Sequence, residues 1–179
     1  MAIAGSLERI TANEIVAGTI TNDKLATPGE VLQVVNTIKS DTLGSSSSGA
    51  WHDTGLSVAI TPVSTSSKIL VLASISGGHG TSNTWFKILR DSTDLGLGDA
   101  GSSRLQCTFG NVYTFGDSNI MKTHSFQLLD SPSSTSALTY KVQARSKGGT
   151  WYINRSVNDT DDVDIGRASS TLTLMEIAS

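Results

Sequence analysis

The sequence predicts an all-β protein: an antiparallel β-sandwich or jelly roll, preceded by a short repetitive stalk. Three observations lead there. Ser and Thr number 27 and 21, while charged residues make up only 16% of the 179, against roughly 25% in ordinary soluble domains. β-Branched residues are plentiful and helix formers scarce, which favours pleated, half-buried strands. From residue 30 onward, short apolar or alternating runs are separated by Gly, Pro, Asn, Asp and Ser turns, with no amphipathic helix between them.

The chain divides at residue 29. Before it stands a tandem repeat of period ten: Ile10-Thr11-Ala12-Asn13-Glu14-Ile15-Val16-Ala17-Gly18, then Ile20-Thr21-Asn22-Asp23-Lys24-Leu25-Ala26-Thr27-Pro28-Gly29. Thr11 and Glu14 have capping-box spacing, so each copy can start one helical turn that Gly18 or Pro28-Gly29 ends. A unit this small cannot bury Ile10, Ile15, Ile20 and Leu25 against itself, and repeats of this kind need neighbours. With two copies in the chain, the neighbours must be other chains. Residues 1–9 are read as an attachment peptide and residues 10–29 as a trimeric stalk whose core is Ile10, Ile15, Ile20 and Leu25.

Residues 30–179 read as the head. Val31 to Ile38 opens the strands, and Ser45 to Gly49 is a flexible loop. Trp51 to Leu56 leads into Ser57 to Ile60, which Pro62 ends. Lys68 to Ile75 is the most hydrophobic run, the pattern of a central strand covered on both faces. Gly77-Gly78-His79-Gly80 terminates it, Thr84 to Arg90 follows, and Asp91 to Asp94 makes a turn. Strands are then expected over Leu105 to Phe115 and Met121 to Leu129. In Ala137 to Arg145, Leu138, Tyr140, Val142 and Ala144 point one way. Gly148-Gly149 turns the chain into Trp151 to Asn154, and Thr171 to Ile177 ends the series.

Charge and motifs exclude several function classes. The net charge is −3 and no basic run exists, so the electrostatic footprint of a nucleic-acid binder is missing. One cysteine, Cys107, rules out an internal disulfide framework and a multi-cysteine zinc site, and its strand-like setting reads as a small hydrophobe. Residues 1–6 lack a charged n-region and an apolar h-region, so no secretory signal is expected. No stretch approaches the ~18 apolar residues of a membrane span, so no membrane insertion is expected.

His52, Asp53 and Ser57 lie close in sequence, but no Gly-x-Ser-x-Gly elbow exposes a serine. Asn158-Asp159-Thr160-Asp161-Asp162-Val163-Asp164 presents oxygens as an EF-hand loop begins, yet the glycine and the closing glutamate are absent. It reads as a solvated loop, with a weak cation site at 159–164 as the alternative. No carboxylate pair stands out for glycoside hydrolysis. The chain therefore reads as a non-enzyme without cofactor or metal. Trp85, Tyr113, Trp151 and Tyr152 are the candidates for stacking on sugar faces. In the pairs Trp85-Phe86 and Trp151-Tyr152, strand alternation sends one ring inward, so at most one of each pair is available.

Two features together resemble a family. The Ile-Thr-x-x-x-aliphatic-x-x-Gly unit is similar to short repeats that precede the head domains of phage tail fibres. The segments Gly29 to Val35, Thr54 to Pro62, Ser66 to Val71, Leu89 to Thr93, Leu129 to Pro132, Thr139 to Val142, Tyr152 to Arg155 and Thr171 to Ile177 resemble, in that order, a C-terminal domain of fibre-like proteins from marine and cyanobacterial phages. The resemblance implies a homotrimer with a head like the jelly rolls of tumour-necrosis-factor and complement trimers. It implies a virion-surface protein made in the host cytoplasm and joined to another virion protein through its N-terminus. A tail fibre contributing to adhesion on host glycans is the first expectation. A capsid decoration or head fibre is the second, and a polysaccharide-degrading enzyme the third.

Overall fold

Every regular element of the computed structural model, which describes residues 28–46, 49–79, 81–110 and 117–179, is a strand. In chain order these are β1 (Val31–Lys39), β2 (Leu43–Ser45), β3 (His52–Ile60), β4 (Lys68–Gly78), β5 (Thr84–Arg90), β6 (Thr93–Leu95), β7 (Phe109–Gly110), β8 (Lys122–Asp130), β9 (Leu138–Ser146), β10 (Trp151–Ile153) and β11 (Ser170–Ile177). The expected stalk, with Ile10, Ile15, Ile20 and Leu25, and the attachment peptide lie outside the described residues, as does Tyr113.

All pairings are antiparallel and form two sheets. Sheet A runs β1-β11-β4-β10-β2, with β8 on the other edge of β4. Because Thr171 faces Ser74 while Ile153 faces Gly77, β10 and β11 occupy one line along the same edge of β4. β2 pairs with β10 as β1 pairs with β11, so the first line is also interrupted and resumed. Sheet B runs β3-β9-β5-β6, with β7 continuing the line of β6 along β5.

The period-two pattern makes the core between the sheets. Leu138, Tyr140, Val142 and Ala144 of β9 are all buried, as are Ile69, Val71, Ala73 and Ile75 of β4 and Leu172 and Leu174 of β11. Phe86, Ile88 and Trp151 complete it. In β3, residues 54–56 stand against Val142 alone, a bulge in which Gly55 adopts φ 79° and Leu56 turns fully inward. Gly77 is required where β10 meets β4, because a Cβ there would come within 2.4 Å of the Tyr152 carbonyl oxygen.

Buried polar groups tie the layers together. Asp130 at the end of β8 accepts hydrogen bonds from Arg90 Nη1 at 2.6 Å and Tyr140 OH at 2.7 Å, joining sheet A to sheet B. Burial, reinforced by that carboxylate, pushes the Tyr140 phenol far above its ordinary range. Glu176, fully buried, accepts from the Val63 amide at 2.8 Å and from Gln33 Nε2.

Three expectations need correction. Over Lys68 to Ile75, β4 is fully buried on one face: Leu70, Leu72 and Ser74 point away from the core and are half-buried, and only farther on, at Ser76, is the outward side buried too. The strand expected over 105–115 reduces, among the described residues, to the two residues of β7. Thr108 is the physical reason: its hydroxyl donates to the Leu95 carbonyl and accepts from the Ile88 amide, standing where ladder bonds would run. Asp91-Ser92 is the whole turn after β5, with Asp91 at φ 51°, so Thr93 and Asp94 already belong to β6.

Candidate functional site

The two sheets present outer faces of opposite chemistry. On sheet A the registers align three rows across β1, β11, β4 and β8: Val34-Met175-Leu70-Leu129, then Asn36-Thr173-Leu72-Gln127, then Ile38-Thr171-Ser74-Ser125. None of these residues is charged. The first row is wholly apolar, and Val34, Ile38 and Leu129 are 53%, 63% and 59% exposed. The neutral polar groups bond within the face: Asn36 Nδ2 donates to Thr173 Oγ1 at 2.7 Å, and Ser125 Oγ to Ser74 Oγ at 3.3 Å. A groove of about 510 Å³ runs between Leu72, Gln127 and Thr173. Soluble proteins seldom expose large contiguous apolar patches, and those that do bind partners through them.

Sheet B's outer face is charged. Asp53 bonds Gln143 Nε2 at 2.7 Å and Lys141 Nζ at 3.1 Å. Burial works to raise its carboxyl, and the Gln143 and Lys141 bonds outweigh it, so Asp53 titrates below the usual carboxylate range. Lys87 pairs with Asp94 at 2.7 Å and lies 5.0 Å from the centre of the Trp51 ring. Trp85 is half-buried and stands directly opposite Arg145.

The aromatic candidates separate as alternation requires. In the first pair Phe86 points inward, 1% exposed, and Trp85 outward. In the second pair the tryptophan is the inward ring: Trp151 is 1% exposed within the core, which removes it as a receptor contact. Tyr152 points outward, but the Arg155 guanidinium sits 4.1 Å from its ring centre and covers one face.

The acidic segment belongs to the excursion from Asn154 to Ser169 between β10 and β11. Asp159 is bonded by Arg155 Nη1 at 2.6 Å and Arg167 Nη2 at 2.8 Å. Those bonds, Arg167 first, hold its carboxyl below the ordinary range. Asp162 accepts the Asp164 amide at 3.0 Å. Among the described residues no group of three or more His, Cys, Asp or Glu side chains is placed to hold a metal. The carboxylate of Asp53 is engaged by sheet-B partners, with no hydroxyl of Ser57 among its bonds. Cys107 is half-buried, and burial raises its thiol.

Sequence reasoning missed both surfaces that the registers assemble. The signal for the first was present, since over Ile69 to Ile75 of β4 and throughout β11 the outward positions carry no charge, Lys68 standing at the very start of β4. Trp85, Arg104, Arg145 and Lys147 come together from β5, the 96–108 loop, β9 and the residue just after it, and no local pattern announces that. No protein-family model matches the chain, and no curated protein matches it at significant similarity.

Proposed function

We propose that this chain is a structural protein of a bacteriophage particle, a short homotrimeric fibre that contributes to adhesion on host-surface glycans. Its heads associate through the outer face of sheet A. The observation behind this reading is the contrast between the two faces: one carries paired charges, and the other carries none over three rows and exposes an apolar band. A charge-free face lets identical copies meet without repulsion, and burying an exposed Val, Leu or Ile contributes roughly 1.5–3 kcal/mol each.

Strand order supports a jelly-roll head. Taking the lines in chain order, with β1 and β2 as the first and β10 and β11 as the eighth, the sheets run 1-8-3-6 and 2-7-4-5. The pairs 1-8, 2-7, 3-6 and 4-5 are those of one long hairpin rolled upon itself, the double Greek key of a jelly roll. The segments that resemble phage fibre heads fall largely on β1, β3, β4, β9, β10 and β11.

The test is solution mass. Full-length chain at micromolar concentration should scatter light as a particle of three chain masses, and Leu70→Glu with Leu129→Glu should reduce it to one while strand circular dichroism is kept. A wild-type monomer overturns the assembly. Immunogold labelling of intact particles then tests the setting. Gold at the tail supports the adhesion fibre, gold over the shell supports the decoration or head-fibre alternative, and unlabelled particles overturn the virion reading.

A further inference from the structure

We propose that the groove over Trp85 is a binding site for an acidic saccharide, one bearing carboxylate groups on its sugar rings. The inference rests on the fibre-head reading for its biological setting and on the groove itself for its chemistry. The groove has a volume of about 460 Å³ and is lined by Trp85, Ser103, Arg104, Gln106, Arg145 and Lys147 among others. That volume lies in the range of small-molecule sites, roughly 300–1,000 Å³.

Its charges are uncompensated. No Asp or Glu lines the groove. Elsewhere on the same outer face, Lys87 and Lys141 are matched by Asp94 and Asp53. Among the described residues, Arg104, Arg145 and Lys147 take part in no ion pair. The Nε of Arg145 is buried and has no hydrogen-bond partner. Guanidinium and ammonium groups with no carboxylate partner of their own bind a ligand carboxylate through charge-assisted hydrogen bonds.

The backbone holds these groups in place. Arg145 faces Trp85 in the β5-β9 ladder, and the Lys147 amide bonds the Asn83 carbonyl at 3.1 Å just beyond it. On the opposite wall, the Arg104 amide bonds the Gly101 carbonyl at 2.9 Å, and Gln106 Nε2 bonds the Gly98 carbonyl at 2.8 Å. The Trp85 ring provides a flat apolar surface for the C–H face of a sugar. Ser103 supplies a neutral hydroxyl for sugar hydroxyls. A uronic-acid residue uses all three kinds of group at once, whereas a neutral sugar leaves the cations unmatched. A nucleic acid fits less well: the chain is net −3, and three cations around one ring do not make the charged track that a polynucleotide follows. The groove opens on sheet B, away from the proposed assembly face, so it stays accessible in the trimer.

The experiment uses full-length chain with oligogalacturonate, its methyl ester and single-stranded oligothymidylate, read by calorimetry and tryptophan fluorescence at low salt. Trp85→Phe assigns the optical signal among the three tryptophans. Saturable oligogalacturonate binding is expected, weakened about tenfold or more by Arg145→Gln or Lys147→Gln and weakened by added salt. The methyl ester should bind far more weakly. Equal binding of the ester, indifference to both substitutions, tighter binding of oligothymidylate, or no binding at millimolar ligand overturns the proposal. Light scattering on the same samples separates it from the assembly. A trimer that ignores oligogalacturonate overturns the groove alone, and a monomer that binds it overturns the assembly alone.

Discussion

Asn154→Ala should be among the most damaging single changes to the head, because one side chain holds two interrupted strand lines together. Asn154 is fully buried where β10 ends, in the left-handed region at φ 61°. Its Nδ2 donates to the Lys39 carbonyl at 2.8 Å and to the Asp41 carbonyl at 2.9 Å, bridging the gap between β1 and β2. Its Oδ1 accepts from Ser170 Oγ at 2.6 Å, and that hydroxyl in turn accepts the Ser76 amide of β4 at 3.0 Å. Alanine removes three buried hydrogen bonds at about 1 kcal/mol net each, and it forces a Cβ residue without asparagine's tolerance into the left-handed region at a further ~1 kcal/mol. The loss is roughly 3–5 kcal/mol, a large part of the 5–15 kcal/mol typical of a domain. Asn154→Gly loses the bonds but suits the backbone, so it should be about 1 kcal/mol less damaging than alanine. Urea unfolding followed by tryptophan fluorescence, at one fixed chain concentration so that association does not shift the midpoint, measures both. A loss below about 1 kcal/mol for alanine, against the net worth of a single bond, or a glycine variant no better than alanine, refutes the account.

Two further outcomes are expected. His79 Nδ1 accepts the Ser82 amide at 3.0 Å and the Thr81 amide at 3.3 Å, so the ring must be unprotonated there, and burial depresses its pKa. His124 is depressed too, first by burial and then by the Lys122 charge. The unfolded chain therefore takes up these protons first. Stability is fully present above about pH 6.5 and declines as pH falls through the depressed folded values, by at most ~1.4 kcal/mol per pH unit for each histidine. Urea unfolding at pH 7.5 and 5.5 checks this, and equal or greater stability at pH 5.5 contradicts it. Removing residues 1–27 should leave the strand circular dichroism and the core fluorescence unchanged. The Gly29 amide bonds the Ala178 carbonyl, and the Ala178 amide bonds the Glu30 carbonyl, each at 2.8 Å, so the sheet keeps its N-terminal anchor. Loss of the folded spectrum in that truncation contradicts it.

Legibility in the sequence followed the length and period of each element. β9 and β11 were readable because alternation runs uninterrupted through Leu138 to Ala144 and Leu172 to Leu174. β2 and β6 were not, since a strand of three residues has no period and these exist only because a longer neighbour offers its edge. The role of Asn154 was invisible for a different reason. An Asn after a short strand reads as a turn residue, and its bonds reach Lys39 and Asp41 more than a hundred positions away. The groove over Trp85 escaped notice likewise: Arg104 and Arg145 are 41 positions apart in the chain, and register and loop conformation bring them together.

The most instructive mismatch is β4. A run as apolar as Lys68 to Ile75 reads as a strand covered on both faces, yet within one chain Ile69, Val71, Ala73 and Ile75 are buried while Leu70 and Leu72 are half-buried. Leu70 and Leu72 would be unremarkable alone, because much of any protein surface is apolar. They are not alone. Val34 and Met175 lie in the same row as Leu70 from two other strands, and Leu129 extends it to the sheet's edge. Over the three rows four strands that are far apart in sequence place no charge, Lys68 lying beyond them at the start of β4, while β3, β5 and β9 place Asp53, Lys87, Lys141 and Arg145 on their outer face. Solubility of a lone chain favours charge on both faces, so that asymmetry favours the proposed assembly through sheet A. On the proposed reading, the hydropathy of β4 already describes the assembled particle, and the single chain exposes the half of that pattern which other copies complete.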